Sequence, residues 1–281
     1  AITEFINNGW INGEKTIYED ITKVEPGEYI EINITRNSCD FDIKKYKYWQ
    51  PIFTNSEKPL FSNFQKSKSE LKSILLNVLN DQLYSEREMG IFFSGGIDSS
   101  LIAALVKKEL GINLNCFTCG FSNDLDANSY DETEFASKIC NDLNLPHIVR
   151  RINTSDVVET LPKMARIFSE PFADISQLGA YIISQKAREE GIVVALGGDG
   201  GDELFGGYER YISGSNLLKL NKILPNYIFN SINKIISYFP EEISFKFGKI
   251  VGIDKFKDKI EKFLNNENYF YDKETLYLSC I

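Results

Sequence analysis

Between residues 89 and 196 short apolar runs alternate with amphipathic stretches, and no other feature restricts the fold of this chain as strongly. Runs 89–93, 114–121, 147–152 and 192–196 read as strands, and stretches 99–110, 132–143, 156–168 and 175–190 read as helices. Such alternation implies a doubly wound α/β fold, a parallel sheet wrapped on both faces. Ligands of these sheets bind outside the carboxyl ends of the strands. Two glycine-rich loops fall at such ends. Phe93-Ser94-Gly95-Gly96-Ile97-Asp98-Ser99-Ser100 closes the first run, and Leu196-Gly197-Gly198-Asp199-Gly200-Gly201-Asp202-Glu203-Leu204-Phe205-Gly206-Gly207-Tyr208 closes the last.

A strand feeding a glycine turn and then a helix is a ready anion site. The first-turn N–H groups point outward, the helix dipole favours negative charge, and glycine lets a phosphate approach the main chain. Ser94, Ser99 and Ser100 add hydroxyl donors that a mere turn does not need. In the second loop Asp199, Asp202 and Glu203 crowd beside flexible backbone, which is costly unless a cation or a reacting centre accompanies them. Either loop alone could be ordinary turn punctuation. Their coincidence points to a nucleotide polyphosphate with its magnesium ion, held between two strand ends.

Ser94-Gly95-Gly96-Ile97-Asp98-Ser99-Ser100 resembles the pyrophosphate loop of the ATP pyrophosphatases, a motif shared by GMP, argininosuccinate and NAD synthetases and by tRNA-thiolating enzymes. Gly198 to Tyr208, followed by Arg210-Tyr211, narrows the resemblance to the synthetase domain of glutamine-dependent asparagine synthetases. Phe117-Thr118-Cys119-Gly120-Phe121, Tyr130-Asp131-Glu132 and Glu170-Pro171-Phe172-Ala173-Asp174 agree, so the likeness covers residues 9–211.

The resemblance implies an adenine nucleotide alpha hydrolase-like fold and an ATP-dependent carbon–nitrogen ligase. In this family aspartate attacks the α-phosphorus of ATP, pyrophosphate leaves, and ammonia attacks the acyl-adenylate. Carried onto this chain, Ser94, Gly95, Gly96, Ser99 and Ser100 cradle the pyrophosphate. Asp98 and Asp202 are the acids associated with Mg2+, and Asp199 and Asp202 are the catalytic acids, Asp199 as a base toward the incoming amine. Phe92 and Cys119 offer main-chain hydrogen bonds to the adenine, and Gly197-Gly198 faces the ribose and α-phosphate.

Most relatives have serine at the position of Gly197 and many have glutamate at that of Asp199, which leaves the acceptor open. It is aspartate or a similar acid, or else a sugar acid, a β-lactam precursor or a peptide. A non-catalytic nucleotide-binding module is a further alternative. Tyr130, Asp131 and Glu132 read either as a loop that orders on ligand or as a turn with a helix N-terminal acid. Glu170 and Asp174 read as substrate contacts or as helix caps, and His147 as structural.

A net charge of −9 argues against a nucleic-acid partner, because phosphate backbones demand a basic footprint. The apolar runs fall short of the ~20 residues that span a bilayer, so no membrane partner is expected. Five scattered cysteines suit a reduced cytoplasm. Cys116 and Cys119 have CxxC spacing but sit in one apolar strand with no second pair, so they read as small core residues.

Residues 1–53 read as β-rich: Ile30, Ile32 and Ile34 alternate along one side of a hairpin strand, and Gly9, Gly13 and Gly27 mark turns. The resemblance makes this stretch the end of a glutaminase domain. That domain needs an N-terminal cysteine, whereas the chain starts at Ala1 and has none before Cys39, so a fragment without its ammonia-generating domain is expected. Residues 54–211 form the synthetase domain, with a helix from Ser69 capped by Ser67 or Ser69. Residues 212–281 read as a truncated helical extension. The family's later catalytic lysine has no match there, since Lys255, Lys257 and Lys259 read as a solvated helix face. A homodimer is one assembly open to the chain.

Overall fold

The computed structural model describes residues 1–34, 41–51, 63–122, 124–125, 131–174, 176–208 and 211–212. Two units divide the chain, Ala1–Gly197 and Gly198–Ile281. In the first, α1 (Ile2–Asn8) precedes a hairpin of β1 (Glu28–Ile34) and β2 (Phe41–Lys47). Then come α2 (Phe64–Gln82), β3 (Met89–Phe92), α3 (Ile97–Lys108), β4 (Asn115–Phe121), α4 (Thr133–Leu143), β5 (His147–Ile152), α5 (Thr154–Ile167), α6 (Ser176–Glu189) and β6 (Val194–Leu196). The second unit's described part holds α7 (Gly201–Phe205). The expected C-terminal helical extension, 212–281, lies outside the described residues apart from Ile212.

The four later strands form a parallel sheet in the order β5-β4-β3-β6. Both its faces are covered, which is why its central strands are nearly continuous apolar runs. Alternation sends Ile91, Phe93 and Cys116 into a core with Leu79 of α2, Ala103 and Val106 of α3, and Ala136 and Cys140 of α4. Phe92, Phe117 and Cys119 point the other way, toward Ile183 and Ala187 of α6. α4 shows how the pattern acts: Thr133, Ala136, Cys140 and Leu143 are buried along one stripe, while Glu134, Lys138 and Asp142 stay exposed. Truncating a side chain as buried as Phe117, 1% exposed, to alanine costs about 3–5 kcal/mol.

Local chemistry places some boundaries differently from expectation. α2 begins at Phe64 because Asn63, not Ser67 or Ser69, accepts the capping bond from Gln65 N at 2.8 Å. The hydroxyls of Ser67 and Ser69 instead bond back to Asn63 O and Lys66 O. α3 begins inside the glycine motif, at Ile97. The opening segment is helical rather than β-like: Gly9, in the left-handed region at φ 84, ends α1 by donating its N–H to Phe5 O.

The expected hairpin is present as an antiparallel pair, with Ile30, Ile32 and Ile34 opposite Lys45, Ile43 and Phe41. Its isoleucine row is not core, since Ile34 is 78% exposed. Gly27 closes the hairpin base, where Tyr48 N and Trp49 N both donate to its carbonyl and a Cβ would lie 2.1 Å from Trp49 O.

Candidate nucleotide site

From β3 the chain runs to β4 and β5 on one side, then returns through α5 and α6 to place β6 on the other side of β3. The carboxyl ends of β3 and β6 therefore flank the topological switch point, where doubly wound sheets hold their ligands. Ser94, Gly95 and Gly96 leave the end of β3, and Gly197 leaves the end of β6. Beyond the last β3–β4 pair, Phe92 with Phe117, β4 continues along β5 to Phe121, which puts Cys119 past the end of β3's ladder. Phe92, Ser94–Ser100, Cys119 and Gly197 thus share one end of the sheet.

The loop after β3 is held by its own side chains. Gly96 N donates to Ser94 Oγ at 3.1 Å, and the Ser94 and Ser99 hydroxyls lie 3.1 Å apart. Ser99 Oγ donates to Gly96 O at 3.3 Å and Ser100 Oγ to Gly95 O at 3.1 Å. These three hydroxyls shape the turn, so the donors left for an anion are main-chain ones. Gly96 is the N-cap of α3 and offers no side-chain cap, so the N–H groups of Ile97, Asp98 and Ser99 face the loop without intrahelical partners. By contrast α2, α4, α5 and α6 receive carboxylate or amide oxygens from Asn63, Asp131, Asn153 and Asp174.

Gly95 sits at φ 84, with its missing Cβ directed at the backbone of Ala136. The loop therefore rests directly on α4. The half-buried Asp98 carboxylate in the first turn of α3 has no hydrogen-bond or ion-pair partner among the described residues. These features fit a polyphosphate and its cation: uncapped N–H groups for the oxygens and a free carboxylate beside them. Among the described residues no cluster of three or more His, Cys, Asp or Glu could hold a metal alone. A Mg2+ ion, which takes one or two carboxylates and keeps waters and phosphate oxygens, does not need one.

The second loop lies in the second unit from Gly198 on. Gly200, at φ 85, turns the chain into α7, and Gly206, at φ 71, ends it. Gly207 is packed against Asp202 so closely that a Cβ there would lie 1.9 Å from its Oδ1. Glu203 accepts from Tyr208 Oη at 2.8 Å, whereas Asp199 and Asp202 accept no such bond among the described residues. Asp199 is exposed and Asp202 half-buried.

Cys116 and Cys119 lie on opposite faces of β4, three positions apart, so they cannot form a chelating or redox pair. The Cys116 thiol is pushed up by its hydrogen bond with Cys140 and by burial. Burial raises Cys119 to about 11, against a smaller opposing effect of Arg150, and keeps it a protonated thiol.

The remaining candidates have structural partners. Asp131 accepts from Thr133 N at 2.9 Å and pairs with Arg151 at 2.7 Å. Tyr130 lies outside the described residues. Asp174 accepts from Ser176 N at the start of α6. Glu170 is held by the N-terminal segment: Lys23 Nζ lies 2.6 Å from Oε2, and Ile17 N donates to Oε1 at 3.0 Å. Tyr18 Oη donates to Ser169 O and Ala173 N to Gly9 O. This strap over the α5–α6 loop had no sequence signal, because its partners are about 150 positions apart.

A parallel sheet with an uncapped helix at its switch point is the layout of a nucleotide-binding α/β domain. The chain is a member of the asparagine synthase family, whose sequence model matches residues 70–273. Glutamine-hydrolysing asparagine synthetase 1 of Bacillus subtilis is 28% identical over 241 residues, which are 86% of this chain and 36% of that protein. A Methanocaldococcus jannaschii protein provisionally named glutamine-hydrolysing asparagine synthetase 2 is 29% identical over 81% of this chain and 42% of its own length. The chain thus spans less than half of either relative. Among solved structures, the NH3-dependent NAD synthetase of Campylobacter jejuni covers 53% of this chain and 62% of its own at 20% identity, with a TM-score of 0.33, a likeness that adds no weight. No described helix is long and apolar enough to cross a membrane.

Proposed function

We propose that this chain carries the synthetase part of an ATP-dependent, asparagine synthase-like ligase that adenylates a carboxylate, aspartate or a similar acid, and passes the acyl group to an amine. The single observation behind this is the uncapped start of α3 at the switch point, with its free N–H groups and an Asp98 that has no partner among the described residues. An oxygen of the acceptor carboxylate bonds to the α-phosphorus while the bond from that phosphorus to the bridging oxygen of pyrophosphate breaks. The N–H groups of Ile97, Asp98 and Ser99 hold the β- and γ-phosphates, and therefore the leaving pyrophosphate. Phe92 and Cys119 present main-chain groups to the base, and Gly197-Gly198 the ribose side.

Asp98 and Asp202, the latter assigned by its motif, are the residues that would hold Mg2+, which when bound neutralises phosphate charge. Asp199 takes the proton of the amine that attacks the acyl carbon as AMP departs. A glutaminase domain as the ammonia source, the division at 53 and 211, a homodimer and a cytoplasmic setting belong to the same proposal.

The test is product analysis with ATP, Mg2+, ammonia and a panel of acids. AMP and pyrophosphate dependent on one acid support adenylation; ADP and phosphate would refute it. Asp98→Ala and Asp202→Ala should each weaken Mg2+-dependent ATP binding in calorimetry while leaving the circular dichroism spectrum unchanged. Unaltered affinity in both removes the metal assignment.

A further inference from the structure

The peptide that leads from β3 into the phosphate loop is locked by a side chain of the neighbouring strand. Phe93 N donates to Phe117 O at 2.8 Å, and Phe93 O accepts from Thr118 Oγ1 at 2.5 Å. Both residues are 2% exposed, so no water competes. That carbonyl belongs to the peptide linking Phe93 to Ser94. Its direction sets the plane from which the loop's first N–H groups are launched.

Thr118 has one hydroxyl proton, and a carbonyl can only accept, so the proton is committed to Phe93 O. The Thr118 hydroxyl oxygen lies 2.7 Å from His147 Nε2, which must then be the donor. Nδ1, 3.1 Å from Ser137 Oγ, is left to accept from that hydroxyl. Burial lowers the ring's pKa from its ordinary value and so favours this neutral form. The Phe93 ring meets the imidazole edge-on at 6.3 Å. Adjacent residues of α4 therefore support the loop twice: Ala136 beneath Gly95, and Ser137 through His147 and Thr118 to the Phe93 carbonyl.

We infer that His147 is a positioning residue for the phosphate loop: its Nε2–H orients the Thr118 hydroxyl so that the Phe93–Ser94 peptide, and with it the anion-binding N–H groups, is preset before ligand arrives. The benefit for nucleotide binding rests on the function proposed above; the positioning itself does not.

His147 is the only histidine, so 15N NMR of the full chain reads its tautomer without assignment. The Nε2–H tautomer is expected at neutral pH, and an Nδ1–H tautomer would overturn the inference. Thr118→Val and His147→Met remove the relay at nearly constant volume, whereas His147→Gln keeps an amide donor. The first two should weaken ATP–Mg2+ binding about tenfold, or ~1.4 kcal/mol. They should also speed amide exchange across residues 94–100 in the unliganded protein, with kcat at saturating ATP nearly unchanged and the Gln variant restored to within about threefold. Loss of thermal stability with wild-type loop exchange and wild-type ATP affinity would mark His147 as a core residue only. Should the wild-type chain bind no ATP, the nucleotide proposal fails. The loop exchange of Thr118→Val, faster or unchanged, still decides the positioning inference, as the tautomer does if a variant does not fold.

Discussion

Gly95→Ala tests whether the loop is built by backbone contact with α4. The residue sits at φ 84, where a side chain costs about 1–2 kcal/mol. Its new Cβ would lie 3.0 Å from Ala136 Cα, 3.1 Å from its N and 3.2 Å from its Cβ. These atoms cannot rotate away. α4 could yield only by withdrawing Ala136 and Cys140, both 0% exposed, from the core, and overpacking of this kind costs about 1–3 kcal/mol. The expected destabilisation is about 2–5 kcal/mol, a fall of ~4–20 °C in Tm for a unit of this size. Gly111→Ala is the matched control: φ is 72, but nothing lies within 4 Å, so only the conformational cost of about 1–2 kcal/mol applies. Urea midpoints and calorimetric Tm of the two variants, with ATP affinity measured on each, separate the contributions. Gly95→Ala should lose more stability than Gly111→Ala and alone lose nucleotide binding. Equal losses would refute the close approach and leave glycine's conformational freedom as the sole reason for Gly95.

Gly207→Ala must displace the Asp202 carboxylate, whose Oδ1 would otherwise lie 1.9 Å from the new Cβ. Mg2+-dependent ATP turnover should fall about tenfold or more, and wild-type turnover would show that Asp202 is dispensable. In a double-mutant cycle of Lys23→Met with Glu170→Gln, the pair should show a coupling of about 0.2–1 kcal/mol, read from urea midpoints. Its hydrogen bond with Lys23 holds the Glu170 carboxyl below its usual range. The contribution is therefore present above the unfolded-state pKa and lost as pH falls through the folded one, and a coupling that grows on acidification would contradict the pairing. Cys119, with its thiol near pKa 11, should resist alkylation at neutral pH and react only in the alkaline range. Cys119→Ser should leave ATP affinity nearly unchanged, since the proposed role is a main-chain one.

The alternation of strands and helices was legible because each element's signal is contained within its own residues. β5, for example, has the bounds its period suggests, His147–Ile152, and α4 differs by one residue at its start. α1 carries little sequence signal because the β-like turns that follow dominate a short segment, although Gly9 is an ordinary helix terminator. The cap at Asn63 is not legible from periodicity, because the apolar stripe of α2 begins later than the helix. The sequence offers Ser94, Ser99 and Ser100 as hydroxyl donors to an anion but not their partners, which are groups of the loop itself, so the donors left for an anion are main-chain ones.

By itself the sequence determined a doubly wound α/β domain, the placing of two glycine loops at strand ends, and the asparagine synthase family. These follow from period, glycine and motif, all properties of neighbouring residues. Tertiary structure alone decided that β3 and β6 are adjacent, so that the first loop opens at a switch point. It also decided that Lys23 and Ile17 hold Glu170, and that Thr118, His147 and Ser137 align behind the loop. Each of these pairs residues far apart in the chain, and the partner of a hydrogen-bonding group is selected by packing, which no local pattern encodes.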